Sequence, residues 1–584
     1  MPRMPEAGER VTARELVVLV AGACLLAVVM HWPLVLHLGA DIPKDLGDPL
    51  PQSWQVAWDG HALAHQPLDL FQSNQFWPLR DTLAFSDALV GYAPAGFLGS
   101  GPEAAVFRYD LLFLFAYALA FAGAYLLARE LGLGRGGAAV AGAAFAFAPF
   151  RLEQDGHMQV ISSGGIPLAF ALGLRGYRLR RPAWVVAGWA VGAWQLSVGF
   201  TLGLPLAYLL ATVWLMAAIV WLRKGRPRPD RGLAIATVAG AAIFVAAGLL
   251  LSRPYMRVAD AHPGAHRTPA DVEPFSGPPW IFLVAPDESL VWGGATSPLR
   301  DGLENIPEKT LFPGLVILAL AIAGLTSSAY PRWLRRGLGV GVVAVCVLAL
   351  GFREGGGLAW PYRVVYELLP GWEAIRVPGR LVAFSSLGLA VLAGAGAQRA
   401  MLGDAARRLS RWGGATAIAA LLVGAIVIEG RGLPFDPFDN QAQPKVPPVP
   451  PSVASVAAPQ LHLPAERATD NRRYLLWSTD GFPAIVNGRS SLNPAFTEHL
   501  IERMEPFPDR RTVALLSRLG VNSVILHANR VNGTPWEGAA RRPVGGLRVT
   551  RRDRGDLVVY EIRSPTGGPG AIRRSVARSA RRSR

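Results

Sequence analysis

Cysteine is almost missing from this chain: 584 residues contain two, Cys24 and Cys346. Both sit within apolar runs, which leaves no basis for a disulfide framework or a thiolate-ligated metal. Charged residues are few as well, 17% against a hydrophobic share of 51%. With a mean hydropathy of +0.28, that balance argues against a soluble or disordered chain and for a membrane class. No internal repeat is visible. No soluble module interleaves basic and aromatic residues, so the net charge of +16 is not a nucleic-acid signature. The 566–584 tail, with Arg573, Arg574, Arg578, Arg581, Arg582 and Arg584, is basic but reads as a disordered end.

What the chain has instead is long apolar runs. They lie near 15–38, 106–128, 136–150, 160–174, 183–200, 202–222, 232–251, 311–327, 337–352, 381–398 and 414–429. About eleven transmembrane helices are expected, since most runs approach the ~17–25 residues a spanning helix requires. The first run is too long for a signal-peptide core and has no clear cleavage context, so it reads as an uncleaved first helix. Orientation follows from the loops. Arg10, Arg14, Arg129, Arg135, Arg175, Arg178, Arg223, Lys224, Arg332, Arg335, Arg399 and Arg407 belong to one alternating set of loops, which the positive-inside rule assigns to the cytoplasm. The 39–105 loop of the opposite set holds only Lys44 and Arg80 against eight acidic residues, Asp41 and Glu103 among them. The expected fold is therefore an α-helical polytopic protein of the cytoplasmic (inner) membrane with a cytoplasmic N-terminus.

The transmembrane part is expected over 1–429, with external segments at 39–105, 151–160, 252–310 and 353–380. A Pro-rich linker, 430–470, follows, centred on Pro444-Lys445-Val446-Pro447-Pro448-Val449-Pro450-Pro451. Strand-like runs at Tyr474–Trp477, Ser523–His527 and Leu557–Ile562, with a helical stretch around Thr512–Leu519, predict a small extracytoplasmic α/β domain over 471–565.

Chemistry is expected on the outer face. Asp45-Leu46-Gly47-Asp48-Pro49 pairs an N-cap with a proline at the first helical position, so a helix should start there. Leu50, Trp54, Ala57, Trp58 and His61 recur at helical spacing, a stripe suited to the membrane surface. On this reading Asp45 and Asp48 stand at the bilayer edge; the plainer alternative is a capping Asp48 and a solvated Asp45. The next external turn packs Arg151, Glu153, Asp155 and His157 beside Gln159. Such a cluster is costly unless it lines a wet cavity or pairs internally. Farther on, Arg376-Val377-Pro378-Gly379-Arg380 brings two guanidinium groups to the mouth of a helix, suited either to phosphate or to interfacial anchoring. His61 and His65, and His262 and His266, have ligand-like spacing, but too few ligands accompany them for a metal site to be expected.

These stretches, with Glu308-Lys309-Thr310-Leu311-Phe312-Pro313-Gly314, Asn487-Gly488-Arg489-Ser490-Ser491 and Phe507-Pro508-Asp509, together resemble bacterial membrane proteins of the GT-C glycosyltransferase superfamily. The resemblance implies transfer of a sugar from polyprenyl phosphate to an envelope glycan, lipid or protein acceptor at the outer face. The oligosaccharyltransferase Trp-Trp-Asp-Tyr-Gly signature is absent, which argues against protein N-glycosylation. The family's early acidic residue matches Asp45, or failing that Asp48, as the base. Arg376, Arg380 and Arg151 are then phosphate ligands, and His157, with Glu153, Asp155, Gln159 and Glu308, shapes the substrate site. No cofactor is called for, and a divalent metal is left open. The competing reading is a lipid or polysaccharide transporter without covalent chemistry. Transporters place charges at the midplane in broken helices, whereas here they gather in loops. A non-catalytic scaffold that binds envelope glycans is a third reading.

Overall fold

The computed structural model describes residues 11–225, 230–352, 359–403, 414–432, 445–450, 453 and 455–563. The basic tail and residues 433–444 of the linker lie outside the described residues. Each apolar run is helical, as a segment in hydrocarbon must satisfy its own backbone N–H and C=O groups. In chain order the helices are α1 (Ala13–Met30), α2 (Pro49–His65), α3 (Gly101–Glu130), α4 (Arg135–Ala146), α5 (Gly165–Leu179), α6 (Pro182–Val198), α7 (Phe200–Arg223) and α8 (Arg231–Ala261). Then come α9 (Leu315–Thr326), α10 (Arg332–Ala349), α11 (Trp360–Leu368), α12 (Val382–Leu402) and α13 (Gly414–Glu429).

The expected count of about eleven spans is corrected. Among the described residues five segments are long and apolar enough to cross a membrane: α1, α3, α7, α8 and Pro378–Leu402, which contains α12. The reason is length and charge. The 12-residue α4 and α9 rise only about 18 Å, well short of the ~30 Å hydrocarbon core, and α10 opens on Arg332, Arg335 and Arg336.

Burial sorts the spans. The Pro378–Leu402 window is 78% buried and that of α3 61%, whereas α7 and α8 reach only 17% each. The first two form the centre of the bundle and the last two present apolar sides outward. Small residues bring the central helices together. A Cβ on Gly396 would stand 2.0 Å from the Leu320 carbonyl oxygen, and one on Gly324 2.0 Å from that of Leu392, so α9 and α12 touch backbone to backbone. Such contacts are the usual source of association between apolar helices.

The C-terminal unit is a four-stranded sheet in the order β1–β2–β4–β3, formed by β1 (Gln460–Leu463), β2 (Ser523–His527), β3 (Val549–Arg554) and β4 (Leu557–Ile562). β1 runs parallel to β2, with Gln460 beside Ser523, and the other pairs are antiparallel. Helices α14 (Ala468–Trp477), α15 (Ala495–Glu502) and α16 (Arg510–Arg518) complete it. Tyr474–Trp477, read as a strand, is the last turn of α14. Gln460–Leu463, which falls in the stretch read as linker, supplies the edge strand instead.

The tryptophan stripe of α2 is also corrected. Trp54 is 0% and Trp58 4% exposed, and both pack with Leu475 and Ile485 of the C-terminal unit. The indole of Trp54 donates to Asn74 and that of Trp58 to the Leu70 carbonyl, each at 2.9 Å. An apolar stripe does not specify its partner, and here a protein domain covers it in place of lipid. Exposed apolar side chains stand instead on α11, where Trp360 and Leu368 are 67% and 72% exposed while Tyr362 is buried.

Candidate active site

Helix α2 starts at Pro49 as its sequence dictates, yet the Asp48 carboxylate makes no capping hydrogen bond to it. It points across the site instead. One oxygen accepts from Arg472 Nη2 at 3.2 Å and the other lies 3.6 Å from His157 Nε2. The carboxylate remains 48% exposed, so a substrate can reach it. Asp45, three residues earlier, is exposed and turns its Oδ1 back to accept from the Gly47 N–H at 2.7 Å. The two aspartates thus differ in setting: Asp45 closes a local turn, and Asp48 faces the assembled cluster. One turn into α2, Gln52 accepts from the Met158 N–H at 2.9 Å and donates to Gln159 at 3.0 Å, fastening the helix to the segment around Pro149–Gly156.

Pro149–Gly156 is a 3-10 segment, and its charges divide into two uses. Arg151 is buried, stacks 4.9 Å over the Tyr117 ring, and donates to Ser163 Oγ and the Ile161 carbonyl at 3.0 and 2.7 Å. Asp155 accepts from the Tyr117 hydroxyl and lies 3.8 Å from His31; burial pushes its carboxyl up to about 7. These two residues are enclosed in the frame. Glu153 lies 3.4 Å from Lys44, which also binds Glu288 at 2.6 Å. Burial disfavours the Lys44 charge, but the two glutamates outweigh it and raise its pKa.

His157 stands between two carboxylates, with Glu308 3.8 Å from Nε2. Burial and the Arg380 charge lower its pKa against the opposing pull of Glu308 and Asp48. Glu308 is held by both a forked contact to Arg380 and a 3.4 Å hydrogen bond from Gln154. Burial alone would raise the Glu308 carboxyl, but Arg380, His157 and Gln154 hold it at about 2. Arg376 sits 4.9 Å over the Phe275 ring and forms no ion pair among the described residues. Burial and the charges of Arg267 and Arg380 lower its pKa, against Glu308 and Asp48. Arg380 is therefore already neutralised, whereas Arg376 is not.

Two arginines of this cluster were missed by the sequence reading. Arg472 comes from α14, and its Nε is buried without a partner. Arg489 is half-buried, its charge disfavoured by burial and Arg472 and favoured by Asp48 and Glu498. Nothing local marks Arg472, whose pairing with Asp48 spans 424 positions, whereas Arg489 falls in the Asn487-Gly488-Arg489-Ser490-Ser491 stretch noted above but was not read as a site residue. Gln52 could have been found, since it lies one helical turn beyond Asp48. His61 and His65 stack at 4.5 Å, and no third ligand joins them among the described residues.

Solved structures resemble the chain to different degrees. A mycobacterial arabinofuranosyltransferase, AftD, superposes with a TM-score of 0.55 at 15% identity, over 96% of this chain and 42% of AftD. The chain shares the fold of this neighbour. The chain spans less than half the length of that neighbour. The Archaeoglobus fulgidus oligosaccharyltransferase in its apo form gives 0.46 at 14% identity, over 87% of this chain and 69% of its own. ArnT from Cupriavidus metallidurans bound to undecaprenyl phosphate gives 0.39 at 14%, over 95% and 99%. No family model matches the chain, and no curated protein does.

Proposed function

We propose that this chain is a membrane glycosyltransferase that moves a sugar from polyprenyl phosphate to a hydroxyl of an envelope acceptor on the outer face. The observation that carries the reading is Asp48, a half-exposed carboxylate freed from its own helix and held between His157 and Arg472. The acceptor oxygen attacks the anomeric carbon, the bond from that carbon to the phosphate oxygen breaks, and polyprenyl phosphate leaves. Phosphate is a good leaving group, so no general acid is needed. A base must take the acceptor proton, and cations must meet the charge on the phosphate.

Asp48 is the base in this reading and Asp45 its alternative, the reverse of the order expected from sequence. Arg376 and Arg472 meet the phosphate, while the Glu308–Arg380 pair fixes His157, which orients Asp48. Arg151 and Asp155 support the frame. Glu153 and Gln159 border the site through Lys44 and Gln52.

Reconstituted in proteoliposomes with polyprenyl-phosphate pentoses and hexoses and envelope glycans, the protein should release polyprenyl phosphate and extend an acceptor. Movement of intact lipid-linked sugar across the bilayer, with the glycosyl phosphate bond unbroken, would replace this reading with the transporter. Orientation is tested separately: alkaline-phosphatase fusions ending near Gly91 and after Gly430 should both be active, and inactivity at both sites overturns the mechanism.

A further inference from the structure

A cleft of about 230 Å³ opens in the C-terminal unit. One wall is apolar: Phe76, carried by the first loop, lies beneath Gly488, with Pro494 and Ile501 beside it. The other is polar, with Asn493, Thr497, Glu498 and Arg489. Thr497 is 7% exposed, and its buried hydroxyl has no partner among the described residues. A buried polar group left unpaired is costly, so in a site-lining position it calls for a partner from outside the chain.

The cleft adjoins the Asp48 cluster. Asn471 lines it, and the next residue of α14, Arg472, reaches Asp48. Arg489 lines it too and feels the Asp48 charge. Its own charges select the ligand. Glu466, Glu498 and Glu502 line it beside a single Arg489, and with Glu466 paired to Arg467 the two remaining carboxylates still outweigh that arginine, a balance that disfavours a phosphate or any other anion. An apolar wall opposite hydroxyl and amide groups matches a sugar ring, whose faces are C–H and whose edge is hydroxyl. The volume is below the ~300–1,000 Å³ of drug-sized pockets, enough for a terminal ring of a longer chain.

We propose that this cleft binds the uncharged glycan end of the acceptor and presents its hydroxyl to Asp48. The proposal rests on the glycosyltransferase reading and deepens it, naming a neutral glycan in place of a lipid or protein acceptor.

The test uses the full chain in nanodiscs, probed with arrayed neutral arabino-, manno- and gluco-oligosaccharides. At least one should bind, and Asn493→Ala and Thr497→Val should each weaken it about 2–10-fold, the worth of one hydrogen bond. The acceptor KM should rise by the same factor with kcat kept, and Thr497→Ser should restore both. Asp48→Asn should bind the glycan as the wild type does. Binding by none of the neutral probes, capture of acidic or phosphorylated ligands in their place, or wild-type affinity in both cleft variants would overturn the proposal. If the glycan binds but no donor is consumed, the cleft stands and the transfer reading falls. Normal transfer with unchanged acceptor KM in both variants removes the cleft alone.

Discussion

Replacing Asp48 with asparagine should abolish nearly all transfer while the protein still inserts and folds. The substitution keeps the shape and leaves an acceptor for Arg472, but removes the negative charge that, in the proposed mechanism, takes the acceptor proton. Positioned general bases contribute typically ~10²–10⁴-fold, and that is the expected fall in turnover measured with a polyprenyl-phosphate donor. Asp45→Asn should change little, since an exposed side chain closing a local turn is worth about 0.5 kcal/mol or less. Transfer at the wild-type rate by Asp48→Asn would remove the assignment, and a large loss confined to Asp45→Asn would return it to the earlier aspartate.

Glu308→Ala should be the most damaging single change to stability near the site. It leaves the enclosed Arg380 guanidinium without its counter-charge, and breaking a buried pair from one side costs about 3–5 kcal/mol. Thermal unfolding in detergent should fall accordingly, whereas Glu308→Leu combined with Arg380→Met should recover much of the loss, because replacing both partners by apolar groups is often neutral. The same pair sets an acid limit. With its folded pKa depressed to about 2, Glu308 contributes its stability in full above the ordinary glutamate range near 4.3 and loses it as pH falls through 2. An acid unfolding profile identical in wild type and the double variant would show that Glu308 does not carry this dependence.

The sequence was most legible where physics is local. Apolar runs became helices because hydrocarbon leaves no alternative, and Asp48-Pro49 marked the start of α2 to the residue. It was least legible where a segment chooses a distant partner. The Trp54 and Trp58 stripe is equally compatible with lipid or with Leu475 and Ile485, and periodicity does not separate the two. Tyr474–Trp477 reads as a strand in isolation because its aromatic and apolar residues suit one, yet it ends a helix whose polar first turns precede it. β3, Val549–Arg554, escaped notice because its charged residues give no apolar alternation, its pairing with β4 being what makes it a strand. At the site, the residue types at 151–159 were recognisable as a cluster, but their division between distinct partners was not. That division depends on Tyr117 and Ser163 for Arg151 and on Lys44 for Glu153.

The union of α2 with α14 also orders events during synthesis. Asp48 emerges early and Arg472, 424 positions later, so the membrane bundle is made long before the arginine that completes the cluster. The indoles of Trp54 and Trp58, packed on one side by Leu83 and Ala88 of the first loop, wait through the same interval for Leu475 and Ile485 to complete their cover. A chain halted within the linker would carry the aspartate but neither Arg472 nor the cover for α2. Ribosome-stalled intermediates should therefore expose α2 to protease until the C-terminal sheet has formed, and the site closes as one of the last acts of folding.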